Sequence, residues 1–296
     1  MLYGILLIVI GILILKIYRD HNKIKKISRQ VNQVLFQQSD LYVQQFQEGE
    51  LSILESEIVK LVNRLYEQNQ LLNQDKILLK QSLEDISHQI KTPLTSLNLI
   101  QERLKTASQE EKRTLLKQQQ LLLQKIEWLV TTLLKMAQLD AGTITFQKET
   151  ISNDHLLQEL IKPFEIALEL KNLKINKNYQ NDYLYNIDFH WTIEALSNIL
   201  KNSIEHIQEE GIIEISIDHN PLYDEIIIKD NGSGVDQNDL PHLFERFYKG
   251  HNASEKSVGI GLALSQMIIE KQNGTISVEN TYPGVKFTIH FYHEVI

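Results

Sequence analysis

The chain has 296 residues, about twice a typical domain, so more than one folded unit is expected. Hydrophobic residues at 42% and charged residues at 23% exclude a mostly disordered chain. Thirty Lys and Arg against 38 Asp and Glu leave a formal charge of −8, which argues against a nucleic-acid binder, and the absence of cysteine excludes disulfides, thiol catalysis and cysteine-ligated zinc.

Residues 1–15 carry no charged side chain, and Lys16, Arg19, Lys23, Lys25, Lys26 and Arg29 then follow, opposed only by Asp20. A helix read through Tyr18 is about 27 Å long, close to a hydrocarbon core of about 30 Å if Lys16 snorkels. A cleaved signal peptide would carry its basic residues before the apolar run, and here they come after it. The expectation is a single transmembrane helix over residues 1–18. Its flanking charges place the rest of the chain in the cytoplasm, with almost nothing outside. A buried core helix is the rival reading.

Residues 19–84 are rich in Gln, Glu, Leu and Lys and contain no Pro. Leu54, Ile58, Leu61, Leu65, Gln68 and Leu72 alternate steps of four and three, a heptad seam that predicts a coiled-coil stalk between copies of the chain. Residues 85–142 continue as a helical hairpin broken near residues 106–109. Its second arm, about residues 110–139, carries Leu115, Leu122, Ile126, Leu129, Leu133 and Met136 on one face and ends at Gly142. Such a hairpin cannot bury its apolar surface alone, so a homodimeric four-helix bundle is expected.

From residue 143 to 296 the period changes. Ile213, Ile215 and Ile217 alternate with polar residues, as do Val285, Phe287, Ile289 and Phe291; further strands are read at residues 226–229 and 275–279. Helices are read near residues 154–170, 190–208 and 261–272. The expected fold class is multidomain, α then α+β, closing on an α/β sandwich.

Two groups of motifs carry chemistry. The first is Ser87-His88-Gln89-Ile90-Lys91-Thr92-Pro93-Leu94 in the first arm of the hairpin. His88 and Thr92 share a helical face, and Pro93 removes a backbone donor just beyond them, where a bend is expected. The second is a set of four elements in order: Asn198-Ile199-Leu200-Lys201-Asn202, Asp230-Asn231-Gly232-Ser233-Gly234, Leu243-Phe244-Glu245-Arg246-Phe247-Tyr248, and Gly259-Ile260-Gly261 opening a helix. A Gly-rich turn into a helix N-terminus offers free N–H groups to phosphate.

Together these strings resemble the sensor histidine kinases of bacterial two-component systems, with a HisKA-type phosphoacceptor hairpin and a GHKL-type ATP-binding domain. The resemblance covers residues 85–296. It implies that His88 is phosphorylated from ATP and passes the phosphoryl group to an aspartate of a response regulator. Thr92 would orient the water that dephosphorylates the regulator. Gln89 stands where the family usually has a carboxylate base, and it cannot accept a proton; Asp85, three residues before His88, could replace that base.

In the second group the resemblance makes Asn202 a Mg²⁺ ligand with Asn198 assisting, and Asp230 the acceptor of the adenine amino group. His206 would flank the base. Gly232 and Gly234 would let the chain pass close to adenine, Phe244 and Phe247 would anchor a lid, and Gly259 and Gly261 would close over the phosphates. Glu205 stands where the family commonly has Lys, so Arg246 or Lys249 is expected to supply the cation. The implied cofactors are ATP and Mg²⁺. The implied partner is a response regulator; the hairpin adds a second copy of the chain and the apolar start adds the lipid membrane, with the stimulus expected either to be detected at the membrane or to be relayed by a membrane protein such as a transporter. Three alternatives stand beside kinase activity: a phosphatase-biased enzyme, a scaffold with a degenerate nucleotide site, and an ATPase of the chaperone or topoisomerase type. The last is disfavoured by the His-bearing hairpin.

Overall fold

The computed structural model describes residues 2–37, 50–179, 184–251 and 257–293, and the chain divides into two compact units, Met1–Leu83 and Glu84–Ile296. Residues 38–49 of the expected stalk, the Leu54 side chain at the start of its seam, and residues 252–256 of the Gly-rich loop lie outside the described residues.

In the first unit, α1 (Leu2–Gln37) opens with an apolar surface in which Tyr3, Leu7, Ile8, Ile14, Leu15 and Ile17 are all more than half exposed. Among the described residues no helix is long and apolar enough to cross a membrane. What stands where a span is expected is therefore a helix with an uncovered apolar surface. Helix α2 (Glu50–Leu104) begins in this unit and carries the heptad seam, where Leu61, Leu65 and Leu72 are 58%, 54% and 66% exposed.

In the second unit α2 runs through Pro93 to Leu104 without interruption. The chain then turns into α3 (Gln109–Asp140) because Ser108 caps it. The Ser108 hydroxyl accepts from Glu111 N, and the Glu111 carboxylate accepts in return from Ser108 N at 3.0 Å. Gly142 ends the helix at φ 63°, a left-handed conformation that favours glycine. Two stripes divide α3. Leu115, Leu129, Met136 and Leu139 are buried, whereas Leu116, Leu123, Val130 and Leu134 are each at least half exposed.

The C-terminal part is a five-stranded sheet in the order β2-β4-β5-β7-β6, with a separate two-stranded pair β1-β3. The strands are β1 (Lys148–Ser152), β2 (Lys174–Asn178), β3 (Leu184–Asp188), β4 (Ile212–His219), β5 (Tyr223–Asp230), β6 (Gly274–Asn280) and β7 (Val285–Tyr292). Among the described residues β2-β4 is the one parallel ladder and the others are antiparallel. The helices are α4 (Asn153–Ile161), a 3₁₀ turn, α5 (Glu165–Leu170), α6 (Phe189–His206) and α7 (Gly261–Lys271).

Alternation sets which face is covered. Ile213, Ile215, Ile217, Ile226, Ile228, Phe287, Ile289 and Phe291 point inward and are almost fully buried, against α6 and α7 residues such as Leu196, Ile199, Leu264 and Ile268. Each such side chain contributes roughly 1.5–3 kcal/mol of transfer free energy. Leu129, Met136 and Leu139 of α3 belong to the same cluster. The inward face of β5 also carries a carboxylate at each end, Asp224 and Asp230, both 4% exposed.

Candidate nucleotide and phosphoacceptor sites

A cleft of about 390 Å³ opens between α6, the end of β5, the start of α7 and the middle of α3. Helix α6 starts on Asp188, whose carboxylate accepts from Trp191 N at 3.0 Å, and its C-terminus is tied by Lys171 Nζ, which donates to the carbonyls of Ile204 at 2.6 Å and Ile207 at 3.0 Å. Fixed at both ends, α6 presents Asn198, Asn202, Glu205 and His206 to the cleft.

Asp230 lies on the cleft wall with Oδ1 already engaged. It accepts from Gly232 N at 2.9 Å and from Val285 N at 3.3 Å. Gly284 makes this possible: at φ 93° it passes so close to Asp230 that an added Cβ would lie 1.8 Å from the Asp230 carbonyl oxygen. Gly284 was not singled out from the sequence, where its signal is only a Pro-Gly dipeptide before a strand.

At the far side Gly259 (φ 78°) packs under the lid. An added Cβ would sit 2.2 Å from Tyr248 O, and Gly259 O accepts from Phe247 N at 2.8 Å. Phe247 itself lies at φ 64°, an unusual conformation for an aromatic residue, held by that bond and by its packing on the core. Helix α7 then begins at Gly261 with no side-chain cap, and such a helix N-terminus favours a bound anion.

Of the expected site residues, Asn198, Asn202, His206, Asp230, Gly234, Lys249, Gly259 and Gly261 line this cleft. Gly232 acts behind it through its bond to Asp230. Phe244 and Phe247 pack against the hydrophobic core instead. Arg246 is elsewhere: its Nη2 donates to Asp140 Oδ2 at 2.7 Å and contacts Met267 Sδ at 3.3 Å. In this conformation Lys249 is the expected cation that reaches the cleft.

The cleft also holds residues that motif reading missed. Leu121, Gln124, Lys125 and Trp128 of α3 form one wall, and only tertiary packing brings them there. Burial and, secondarily, the neighbouring Lys249 push the Lys125 ammonium below its ordinary value, so two cations converge on one place. Lys201 lies 5.5 Å from the centre of the Trp128 ring and 3.9 Å from Glu205, partly offsetting that carboxylate. Asp239, 4% exposed or less, accepts from Tyr248 OH at 2.7 Å and from His251 N at 2.8 Å, fixing the lid. These bonds hold its carboxyl below its ordinary value and raise the Tyr248 phenol above its own.

The donor set fits a nucleotide. Asn198 Nδ2 is buried with no hydrogen-bond partner, and the Asn202 side chain makes no hydrogen bond to another described residue. A buried orphan amide at a cleft wall is costly unless a ligand satisfies it.

His88 lies outside the cleft, exposed on α2. Thr92 Oγ1 donates to the His88 carbonyl at 3.1 Å, and Gln89 is half-buried. No hydrogen bond joins Asp85 to His88 in this conformation, and both side chains are exposed.

The sequence profile of the family described as "Histidine kinase-, DNA gyrase B-, and HSP90-like ATPase" matches residues 188–294, the stretch that builds most of the cleft. In sequence the chain is similar to sensor histidine kinases. The Heme sensor protein HssS of Staphylococcus aureus (strain JH9) is 26% identical over 274 residues, 92% of this chain and 58% of that protein. The chain thus spans little more than half the length of this curated relative. In fold, it matches Acinetobacter baumannii histidine kinase AdeS with a TM-score of 0.59 at 22% identity, over 70% of this chain and 98% of that one. It also matches histidine kinase ThkA in its complex with response regulator protein TrrA, at a TM-score of 0.61 and 19% identity, over 77% of this chain and 66% of that one. The fold is a helical region followed by an α/β ATP-binding domain.

Proposed function

We propose that the chain is an ATP-dependent protein-histidine kinase that phosphorylates its own His88 and passes the phosphoryl group to an aspartate of a response regulator. The observation that carries the reading is the cleft itself. It unites a pre-oriented carboxylate, an orphan amide, an uncapped helix N-terminus and paired lysines on a chain that also bears the His88 string.

Asp230 Oδ1 is spent on backbone N–H groups, which orients Oδ2 to accept from the adenine amino group. His206 borders the base. The first N–H groups of α7, with Lys125 and Lys249, neutralise phosphate charge, the task that Glu205 cannot perform. Asn202, assisted by Asn198, would hold Mg²⁺, which when bound neutralises charge on the transferring phosphate. Positioning and charge neutralisation carry most of the catalysis in such transfers.

The exposed stripe Leu116, Leu123, Val130 and Leu134 repeats at heptad-like steps and supports a homodimer built on the hairpin. The charge-free residues 1–15 and the uncovered apolar surface of α1 support a lipid anchor with the kinase part in the cytoplasm. Gln89, which cannot act as a base, together with Thr92 one helical turn beyond His88, favours a second reading in which dephosphorylation of the regulator outweighs phosphorylation. The test is to incubate the full chain in detergent with γ-labelled ATP and Mg²⁺. Acid-labile, base-stable label that disappears in Asn202→Ala supports the kinase reading. Absence of such label from the wild type contradicts it.

A further inference from the structure

The far end of β5 carries a second constellation, unrelated to the nucleotide cleft. Strand pairing brings it together. His219, at the end of β4, sits directly across from Asp224 of β5, and Asp224 sits across from Phe291 of β7, two residues before His293. Asp224 is thus flanked by two imidazoles drawn from opposite neighbouring strands. His219 Nδ1 lies 2.5 Å from Asp224 Oδ1, and His293 Nε2 lies 3.2 Å from Asp224 Oδ2. One ligand atom from each of the three side chains falls within 4.8 Å of the others.

We propose that His219, Asp224 and His293 form a binding site for a divalent transition-metal cation of the zinc class. Two imidazole nitrogens and one carboxylate suit such an ion, with water completing a tetrahedron, and do not suit Mg²⁺ or Ca²⁺, which take oxygen ligands. The Asp224 carboxylate is 4% exposed, and a buried carboxylate is costly unless it is paired or bound to a metal. The outer partners are in place. His293 Nδ1 lies 3.3 Å from the Pro221 carbonyl; donating there leaves Nε2 as the ligand nitrogen. His293 N donates to Leu222 O at 3.0 Å, and Asn220 Oδ1 accepts from Leu222 N and Tyr223 N, so the turn between β4 and β5 is fixed. Tetrahedral ligands on zinc are about 3.4 Å apart; the His293–Asp224 contact at 3.2 Å is already close to that, and the His219–Asp224 contact at 2.5 Å would open by about 1 Å to admit the ion.

The site would join the residue just past β7 to the β4–β5 turn. Asp224 and Asp230 are six residues apart on one strand, about 20 Å, so the ion would act on the sheet and not on ATP. Sequence spacing hides the site, because His293 joins the hairpin pair only through the β5–β7 register.

The test titrates the full chain in detergent with ZnCl₂ against a chromophoric chelator, and with CoCl₂ while recording visible absorption. Wild type, His219→Ala and His293→Ala are compared. The expected result is one tight zinc site per chain, a tetrahedral Co²⁺ spectrum and a melting temperature raised by zinc. In each variant zinc should bind at least 100-fold more weakly and the Co²⁺ band should vanish, with the metal-free melting curve and ATP-dependent labelling retained. Wild type without a stoichiometric site, or either variant binding zinc as tightly as wild type, overturns the proposal.

Discussion

Arg246 Nη2 lies 2.7 Å from Asp140 Oδ2, joining the lid segment of the ATP-binding domain to the last residue of the second hairpin helix. The two side chains are 38% and 52% exposed, which places the pair among those worth about 0–1 kcal/mol to stability. Lys135 and Glu194 form a second tie at 3.0 Å between α3 and α6. Both bonds hold a conformation in which α3 walls the nucleotide cleft and His88 is outside it. In the proposed reaction, transfer to His88 would require the domain to leave that wall.

Asp140→Asn therefore is expected to lower the melting temperature by no more than a few degrees while raising the initial rate of labelling, by up to about fivefold for 1 kcal/mol of released restraint. The check is initial-rate labelling beside a thermal melt. An unchanged or slower rate with a normal melt would mean that the contact does not oppose transfer.

Asp230→Asn changes an acceptor into a group that can present a donor to the adenine amino group. A lost hydrogen bond to a charged group costs about 1.5–3 kcal/mol, so ATP affinity should fall roughly 10- to 100-fold or more. Calorimetric titration with a non-hydrolysable ATP analogue measures this. A variant binding within twofold of wild type would remove Asp230 from adenine recognition.

Asp239 gives the lid its pH dependence. The Tyr248 hydroxyl, then the His251 backbone N–H, hold its carboxyl below the ordinary value of 3.8. The ionised form is the stabilised one, so its contribution is fully present above that ordinary value and is lost as pH falls through the lower folded value. Tyr248 is the mirror case. Asp239 raises its phenol above 10.0, so that contribution is present below the ordinary value and lost as pH rises through the folded one. Asp239→Asn should melt below wild type at neutral pH, with the gap closing in strong acid. A gap independent of pH would refute the linkage.

Lys125 is held against Lys249 and partly buried, which disfavours its charge until phosphates arrive. Lys125→Gln should weaken ATP binding several-fold and flatten its salt dependence, while leaving the nucleotide-free protein as stable as wild type or slightly more so. Affinities at two ionic strengths decide the point; an unchanged salt slope would place Lys125 away from the phosphates.

What could be read from the sequence divides along physical lines. Strands β4 and β7 alternate apolar and polar residues because one face is covered, and their inward residues follow directly from that period. The short strands β1, β2 and β3 escaped notice, since sequences such as KETIS and KINKN are largely exposed and carry little apolar pattern. Within the cleft, Asn198, Asn202 and Asp230 sit on local motifs and were legible. Lys125 and Trp128 were not, because α3 supplies them from some 70 residues upstream through packing alone. Arg246 and Lys249 were equal candidates for the missing cation; Lys249 lines the cleft and Arg246 bonds Asp140, a difference that spacing alone does not reveal.

In the proposed function the nucleotide cleft serves His88. The most direct measurement incubates the full-length chain, wild type and His88→Ala, with γ-labelled ATP and Mg²⁺ and maps the modified residue by mass spectrometry under alkaline conditions. The expected result is acid-labile label at His88 in the wild type and none in the variant, with ATP affinity unchanged between them. Label that persists in His88→Ala, or a wild type that binds ATP yet never becomes labelled, would contradict it.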